Sequence, residues 1–178
     1  MLPIRILTRN LVRSRTMVGP APDHAGLSEL ASHVDGVARE VLGRSLSIRA
    51  VDAGSCNGCE LEIHALSNPL YDCGRFGIHF VASPRHADVL LVTGPVTRNM
   101  AEALKRTYDA TPAPKWVVAV GDCGRDGGLF AGSYAILGGV DQVVPVDLVI
   151  PGCPPNPLAL LSGLLALLEN FAGNKAAS

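Results

Sequence analysis

The chain has 178 residues, of which 48 % are hydrophobic and 17 % are charged, and its formal net charge is −1. This length fits one domain with a real core, and the near-zero charge excludes the basic footprint of a nucleic-acid-binding protein. No apolar run of 18 residues occurs, so we expect no transmembrane helix. The charged fraction is below the ~25 % typical of soluble domains, which favours a subunit of a larger assembly over a core-rich monomer.

The first 45 residues differ in character from the rest of the chain. Four arginines precede the first carboxylate, Asp23, and four apolar residues are spaced to share one helical face. These residues are Arg5, Arg9, Arg13 and Arg15, and Ile4, Leu7, Leu11 and Val12. We expect either a basic amphipathic segment that contacts a membrane or partner, or a solvated terminus, followed by a Pro/Gly-rich linker at residues 19–26. The start lacks a long apolar region, so we expect no secretory signal.

From residue 46 the pattern alternates between strands and helices. Strands are predicted at residues 46–52, 77–81, 88–94, 115–121 and 146–152, and helices at residues 60–66, 100–108 and 157–170. Asn156 is the predicted cap of the last helix, with Pro157 at its first position. The alternation predicts one α/β domain over residues 46–170, an open, mostly parallel sheet with helices on both faces, followed by a tail at residues 171–178.

Four of the five cysteines follow predicted strands. Cys56, Cys123 and Cys153 each come shortly after a strand, and the loop at Cys56 brings Cys59 with it. Because ligands bind outside the carboxyl ends of parallel strands, the four thiols are predicted to converge at one edge of the sheet. Clustered cysteines without an export signal indicate metal binding or reactivity rather than disulfides.

Four thiolates suit either a structural zinc ion or an iron–sulfur cluster. Zinc sites usually combine two close Cys-x-x-Cys pairs, whereas Cys123 and Cys153 are 30 residues apart, which disfavours zinc without excluding it. Glycines beside the cysteines favour a cluster, because they let the backbone approach a bulky inorganic core and point amides at its sulfurs. These glycines are Gly54, Gly58, Gly121, Gly124 and Gly152.

The rest of the sequence adds no catalytic set. Cys73 follows the first predicted helix, and we expect it to be a thiol without a functional role. No dinucleotide-binding, P-loop, zinc-protease or serine-hydrolase motif occurs, and the five histidines are scattered. An electron relay is therefore the simplest interpretation of the four predicted ligands.

Five motifs in order resemble one known family. They are GSCNGCELE at 54–62, YDCGRFGI at 71–78, ADVLLVTGPVT at 87–97, VVAVGDC at 117–123 and IPGCPPNP at 150–157. The set resembles the small subunit of membrane-bound, group 4 nickel–iron hydrogenases, which include formate hydrogenlyase. A close relative is the NADH-quinone oxidoreductase (complex I) component that carries the terminal [4Fe-4S] cluster. The resemblance covers roughly residues 46–170.

The resemblance implies a flavodoxin-like fold that holds one [4Fe-4S] cluster through Cys56, Cys59, Cys123 and Cys153. It implies an oxidoreductase subunit that only relays electrons, with its cluster proximal to a nickel–iron centre on a partner large subunit. The other implied partners are a ferredoxin-like iron–sulfur subunit and integral membrane subunits, with no nucleic acid. The implied location is peripheral, at the cytoplasmic face of the inner membrane.

Two positions near the cluster refine this expectation. Asn57 stands where the complex I relative has the second of two adjacent cysteines, and Cys59 supplies the missing ligand, which favours the hydrogenase branch. The resemblance places Glu60 beside the cluster, where it is either a proton-transfer group or a charge at a helix N-terminus. Two alternatives stay open: a cluster-bearing subunit of a complex-I-like quinone oxidoreductase, and a zinc-stabilised interaction domain without redox work.

Overall fold

The computed structural model describes residues 24–176, with the side chains of residue 26 and of residues 28–172. The predicted basic segment and the first part of the predicted linker lie outside the described residues. Five strands form the central sheet: β1 (Leu46–Asp52), β2 (Ile78–Phe80), β3 (Val89–Thr93), β5 (Trp116–Val120) and β7 (Leu148–Ile150). Two further strands, β4 (Val96–Thr97) and β6 (Ile136–Gly138), form a separate antiparallel pair.

The central sheet has the order β2-β1-β3-β5-β7, and every pairing in it is parallel. Counting these five strands alone, the order is 2-1-3-4-5, which is that of the flavodoxin-like doubly wound fold. The predicted α/β fold is therefore confirmed. Strand β3 is apolar along its whole length because the sheet is buried on both faces. Alternate side chains of β3 enter the two cores: Val89 and Leu91 lie in one core, and Leu90 and Val92 lie in the other.

Among residues 24–176, five helices surround the sheet: α1 (His24–Leu42), α2 (Gly58–Ala65), α3 (Arg98–Ala110), α4 (Gly121–Asp126) and α5 (Pro157–Ala176). The predicted cap of α5 is confirmed, since Asn156 Oδ1 accepts a hydrogen bond from the Ala159 N–H at 2.8 Å. The helix continues to Ala176, beyond the predicted end at residue 170. Among residues 24–176, no helix is both long and apolar enough to cross a membrane.

Helix α1 is an element that the sequence analysis does not predict. It packs against α5 and contributes a buried stripe of Ala31, Val34 and Ala38 to the core. The spacing of these residues is helical, but two of the three are alanines, so the apolar face is weak in the sequence. Residues that were predicted to belong to the N-terminal segment thus cover part of the sheet face on which α2 and α5 lie.

Gly163 lets α5 lie close to strand β7. A Cβ atom at this position would lie 2.5 Å from Cδ1 and 2.6 Å from Cγ1 of Ile150, which is itself buried. We expect Gly163→Ala to lower the free energy of unfolding by about 1–3 kcal/mol, because overpacking outweighs the better helix propensity of alanine. Gly36→Ala in α1, where no atom lies within 4 Å of the added Cβ, should instead raise it by up to ~1 kcal/mol. Urea unfolding gives the free energy of unfolding of both variants. A Gly163→Ala protein as stable as the wild type would contradict the close contact between α5 and Ile150.

Candidate four-cysteine site

Four cysteines lie in the three connections that follow β1, β5 and β7, here called loops, although Cys59 is in the first turn of α2 and Cys123 is in the short helix α4. Cys56 and Cys59 follow β1, Cys123 follows β5, and Cys153 follows β7. All four are free thiols; Cys56 and Cys153 are exposed, Cys59 is half-buried and Cys123 is buried. All four cysteines thus lie at the carboxyl edge of the sheet, as their positions after predicted strands indicate.

The three loops are in direct contact with one another. A Cβ atom on Gly121 would lie 2.9 Å from Sγ of Cys59 and 3.0 Å from the carbonyl oxygen of Gly152. A Cβ atom on Gly58 would lie 3.9 Å from Cβ of Pro154. Glycine at these positions keeps the space among the loops free of side chains. Gly121 also has a φ of +79°, in the left-handed region that favours glycine.

An aspartate carboxylate shapes the loop that leads to Cys56. Oδ1 of Asp52 accepts hydrogen bonds from the N–H groups of Gly54, at 2.7 Å, and Ser55, at 2.8 Å. This role of Asp52 is not among the predictions from the sequence, although an aspartate two residues before a glycine is a known signal for such a turn. The turn fixes the direction in which the chain leaves β1 and enters the cysteine loop.

A second aspartate joins the loops of Cys123 and Cys153. The N–H of Asp122 donates to the carbonyl of Gly152 at 2.9 Å, and Oδ1 of Asp122 accepts from the Gly152 N–H at 3.3 Å. Nη1 of Arg125 lies 3.1 Å from the same oxygen, so the carboxylate is oriented from its own helix. The pairing spans 30 residues of sequence, and it sets the separation of the two loops.

We expect Asp122→Ala to lower the free energy needed to open the Cys153 loop by about 0.5–1.5 kcal/mol. Alanine removes the carboxylate acceptor but keeps the hydrogen bond from the backbone N–H of residue 122. Hydrogen exchange of the Gly152 amide should become up to about tenfold faster. Asp109→Ala is the matched control, since it removes only the exposed ion pair with Lys105. An equal exchange rate at Gly152 in the two variants would show that the Asp122 carboxylate does not hold the loop.

The thiols influence one another's ionisation. The pKa of Cys59 is raised to about 12, first by burial and then by the charges of four neighbours. These neighbours are Glu60, Cys123, Cys56 and Cys153, in decreasing order of effect. Burial also raises the pKa of Cys123, with a backbone hydrogen bond from Leu129 acting in the opposite direction. Mutual repulsion of this kind is relieved when thiolates bind metal cations.

The chemistry of the donor set fits an iron–sulfur cluster. Four cysteine thiols are the usual ligands of a [4Fe-4S] cluster, and each binds a different iron, so the sulfurs surround the core instead of meeting at one point. At Gly121 a Cβ atom would lie 2.9 Å from the Cys59 sulfur, so glycine keeps that side of the sulfur open. Within the described residues, no three His, Cys, Asp or Glu side chains form a group that could hold a single metal ion.

Two further residues from the sequence analysis have defined positions. Cys73 is 2 % exposed and packs in the core on the α1 and α5 side of the sheet, so it lies apart from the strand-end loops. Glu60 lies in the first turn of α2, directly after Cys59. Both carboxylate oxygens of Glu60 are buried, and neither has a hydrogen-bond partner among the described residues.

Fold and site together define a class: a flavodoxin-like α/β protein that presents four cysteines at the carboxyl edge of its sheet. The profile of the family described as "NADH ubiquinone oxidoreductase, 20 Kd subunit" matches residues 56–167. The chain belongs to this family, and the family resemblance predicted from the five motifs is confirmed.

Individual relatives agree with this assignment. The chain is 52 % identical over 129 residues to formate hydrogenlyase subunit 7 of Escherichia coli, a match that covers 71 % of this chain and 51 % of the relative. It is 49 % identical over 131 residues to a probable membrane-bound hydrogenase subunit, mbhJ, of Pyrococcus furiosus, covering 74 % of this chain and 78 % of that one. The chain thus spans about half the length of the Escherichia coli relative.

A solved structure is similar over most of the chain. It is a chain in the membrane-bound sulfane sulfur reductase, an archaeal respiratory membrane complex. The TM-score is 0.66 at 34 % sequence identity, and the match covers 82 % of this chain and 78 % of the other. The chain therefore shares its fold with a chain of a respiratory membrane complex.

Proposed function

We propose that this chain is the electron-relay subunit of a membrane-associated nickel–iron hydrogenase complex and holds one [4Fe-4S] cluster through Cys56, Cys59, Cys123 and Cys153. The observation that carries the proposal is the position of these four cysteines in three neighbouring loops at the carboxyl edge of the sheet, where Cys59 has the other three as charge neighbours, in a chain of this family. The two relatives whose names include hydrogenase or hydrogenlyase support the hydrogenase branch.

A bound cluster would accept one electron at a time and pass it on, and the chain's own residues would determine its surroundings. Cys59 and Cys123 would hold the cluster from the less exposed side of the site, where the Leu129 N–H donates to the Cys123 sulfur. Cys56 and Cys153 would hold it from the exposed side. That side is the one from which a partner's redox centre would approach.

The catalytic nickel–iron centre belongs to a partner large subunit in this proposal. The chain has a single Cys-x-x-Cys pair, Cys56 and Cys59, and uses it for the cluster. A ferredoxin-like subunit and integral membrane subunits complete the complex, with this chain peripheral at the cytoplasmic face of the membrane. A proton-transfer role for Glu60 stays a prediction.

A second candidate is the cluster-bearing subunit of a complex-I-like quinone oxidoreductase, which the family description favours. Anaerobic purification of the native complex through a tag on this chain, with assays of nickel, iron, zinc and acid-labile sulfide, separates the two. We expect nickel, iron and sulfide together. Iron and sulfide without nickel would move the function to the quinone-type complex. Zinc without sulfide would instead indicate an interaction domain with no redox role.

A further inference from the structure

The chain turns sharply directly after the helix that contains Cys123. Helix α4 ends at Asp126, and the next two residues, Gly127 and Gly128, have φ values of +94° and +49°. The N–H of Gly127 donates to the carbonyl oxygen of Cys123 at 2.9 Å, which closes the last turn of the helix. Two successive residues in the left-handed region reverse the chain, because such a conformation is accessible to glycine without strain. The residues that follow therefore pass back over the cysteine.

This turn brings the backbone into contact with the Cys123 thiol. A Cβ atom on Gly128 would lie 2.9 Å from both the backbone nitrogen and Sγ of Cys123. The N–H of the next residue, Leu129, donates to the same sulfur. A hydrogen bond to a cysteine sulfur stabilises negative charge there, and hydrogen bonds to the sulfurs are one determinant of the reduction potential of a cluster. The position of this N–H group therefore bears on how easily a cluster held by Cys123 is reduced.

The carboxylate of Asp126 holds the turn in place. Its Oδ1 accepts a hydrogen bond from the Gly128 N–H at 2.8 Å, and its Oδ2 accepts one from Nε of Arg125 at 3.0 Å. These two hydrogen bonds, with that of Gly128 having the larger effect, lower the pKa of Asp126, so the carboxylate is the ionised acceptor at neutral pH. The side chain is exposed, so its replacement leaves the core intact.

We propose that Asp126 is a positioning residue for the cluster: its carboxylate fixes the turn at Gly128, which directs the Leu129 N–H to the Cys123 sulfur and thereby raises the reduction potential. The proposal rests on the proposed function, because it requires a cluster on Cys123. The carboxylate has two effects of opposite sign. Its negative charge disfavours the reduced cluster, whereas the hydrogen bond that it arranges favours the reduced cluster.

The test compares Asp126→Asn with Asp126→Ala in the native complex, purified anaerobically through a tag on this chain. Both variants lose the negative charge and the ion pair with Arg125, but the amide oxygen of asparagine can still accept from the Gly128 N–H. The difference between the two variants therefore isolates the turn. The EPR signal that is missing from the Cys123→Ala complex is followed in a redox titration. At one fixed potential, we expect the ratio of reduced to oxidised cluster to be at least about threefold lower in Asp126→Ala than in Asp126→Asn.

Iron and acid-labile sulfide are assayed in the same samples, and we expect both to stay at the wild-type level in the two variants. Equal ratios in Asp126→Ala and Asp126→Asn, with full iron content, would overturn this proposal and leave the proposed function standing. A higher ratio in Asp126→Ala would overturn it as well. Loss of iron in Asp126→Ala alone would show that the residue retains the cluster instead of adjusting its potential. A wild-type complex whose chain holds no iron and sulfide would overturn the proposed function, and this proposal with it.

Discussion

Replacing Cys123 with alanine should remove both the iron and the electron-transfer activity of the complex. Cys123 is the buried thiol of the four, and it follows β5, an interior strand between β3 and β7, so no other side chain of the site can take its place at that position. A cluster with three thiolate ligands is exposed to hydrolysis and loss of iron. Iron and acid-labile sulfide per chain should fall to the background level, and electron transfer to the partner centre should stop.

Cys73→Ala is the matched control, because it also removes a buried thiol, from the core and away from the strand ends. We expect it to lower the free energy of unfolding by ~1 kcal/mol and to leave iron, sulfide and electron transfer unchanged. A Cys123→Ala complex with full iron content and activity would show that the four ligands are wrongly assigned. Loss of iron in Cys73→Ala but not in Cys123→Ala would exchange the roles of the two residues.

The second large effect is expected from Gly121→Ala. The new Cβ would lie 2.9 Å from the Cys59 sulfur and 3.0 Å from the Gly152 carbonyl oxygen, both of them fixed parts of the site. The residue also has a φ of +79°, which costs a non-glycine residue about 1–2 kcal/mol. The two effects together should lower the free energy of unfolding by about 2–4 kcal/mol and push apart the loops that carry the cysteines.

Gly132→Ala separates the steric effect from the backbone effect. Gly132 has a similar φ of +81°, but no atom lies within 4 Å of its added Cβ. Only the backbone cost of about 1–2 kcal/mol should appear in this variant, and its iron content should stay normal. The free energy of unfolding and the iron content of both variants separate the two effects. If both lose iron equally, or neither does, the close approach at Gly121 is not what keeps the site in shape.

The sequence predicts the fold well where its elements are long and apolar. Strand β1 begins and ends at the predicted residues, and β3 and β5 fall inside their predicted runs, because buried parallel strands are marked by continuous hydrophobic residues. Helix α1 is missed because its buried stripe consists mainly of alanines. Strands β4 and β6 are missed because two or three residues are too few to show a period.

The site is predictable to the extent that it depends on topology. The rule that strand ends share an edge is sufficient to bring Cys56, Cys123 and Cys153 together. The hydrogen bonds of Asp122 with Gly152 are not predictable in this way, since they depend on the register of two loops that are distant in sequence. The unpartnered carboxylate of Glu60 is beyond sequence reasoning for a similar reason: its burial and its missing donor are properties of packing.

Native mass spectrometry of this subunit, released anaerobically from the complex, tests most directly whether four cysteines hold one cluster. The wild-type chain should be heavier than its polypeptide by four irons and four sulfides, and the Cys73→Ala chain should keep the same increment. The Cys123→Ala chain should have the mass of the polypeptide alone. A wild-type chain that carries no added mass, or the mass of a single zinc ion, would contradict the account.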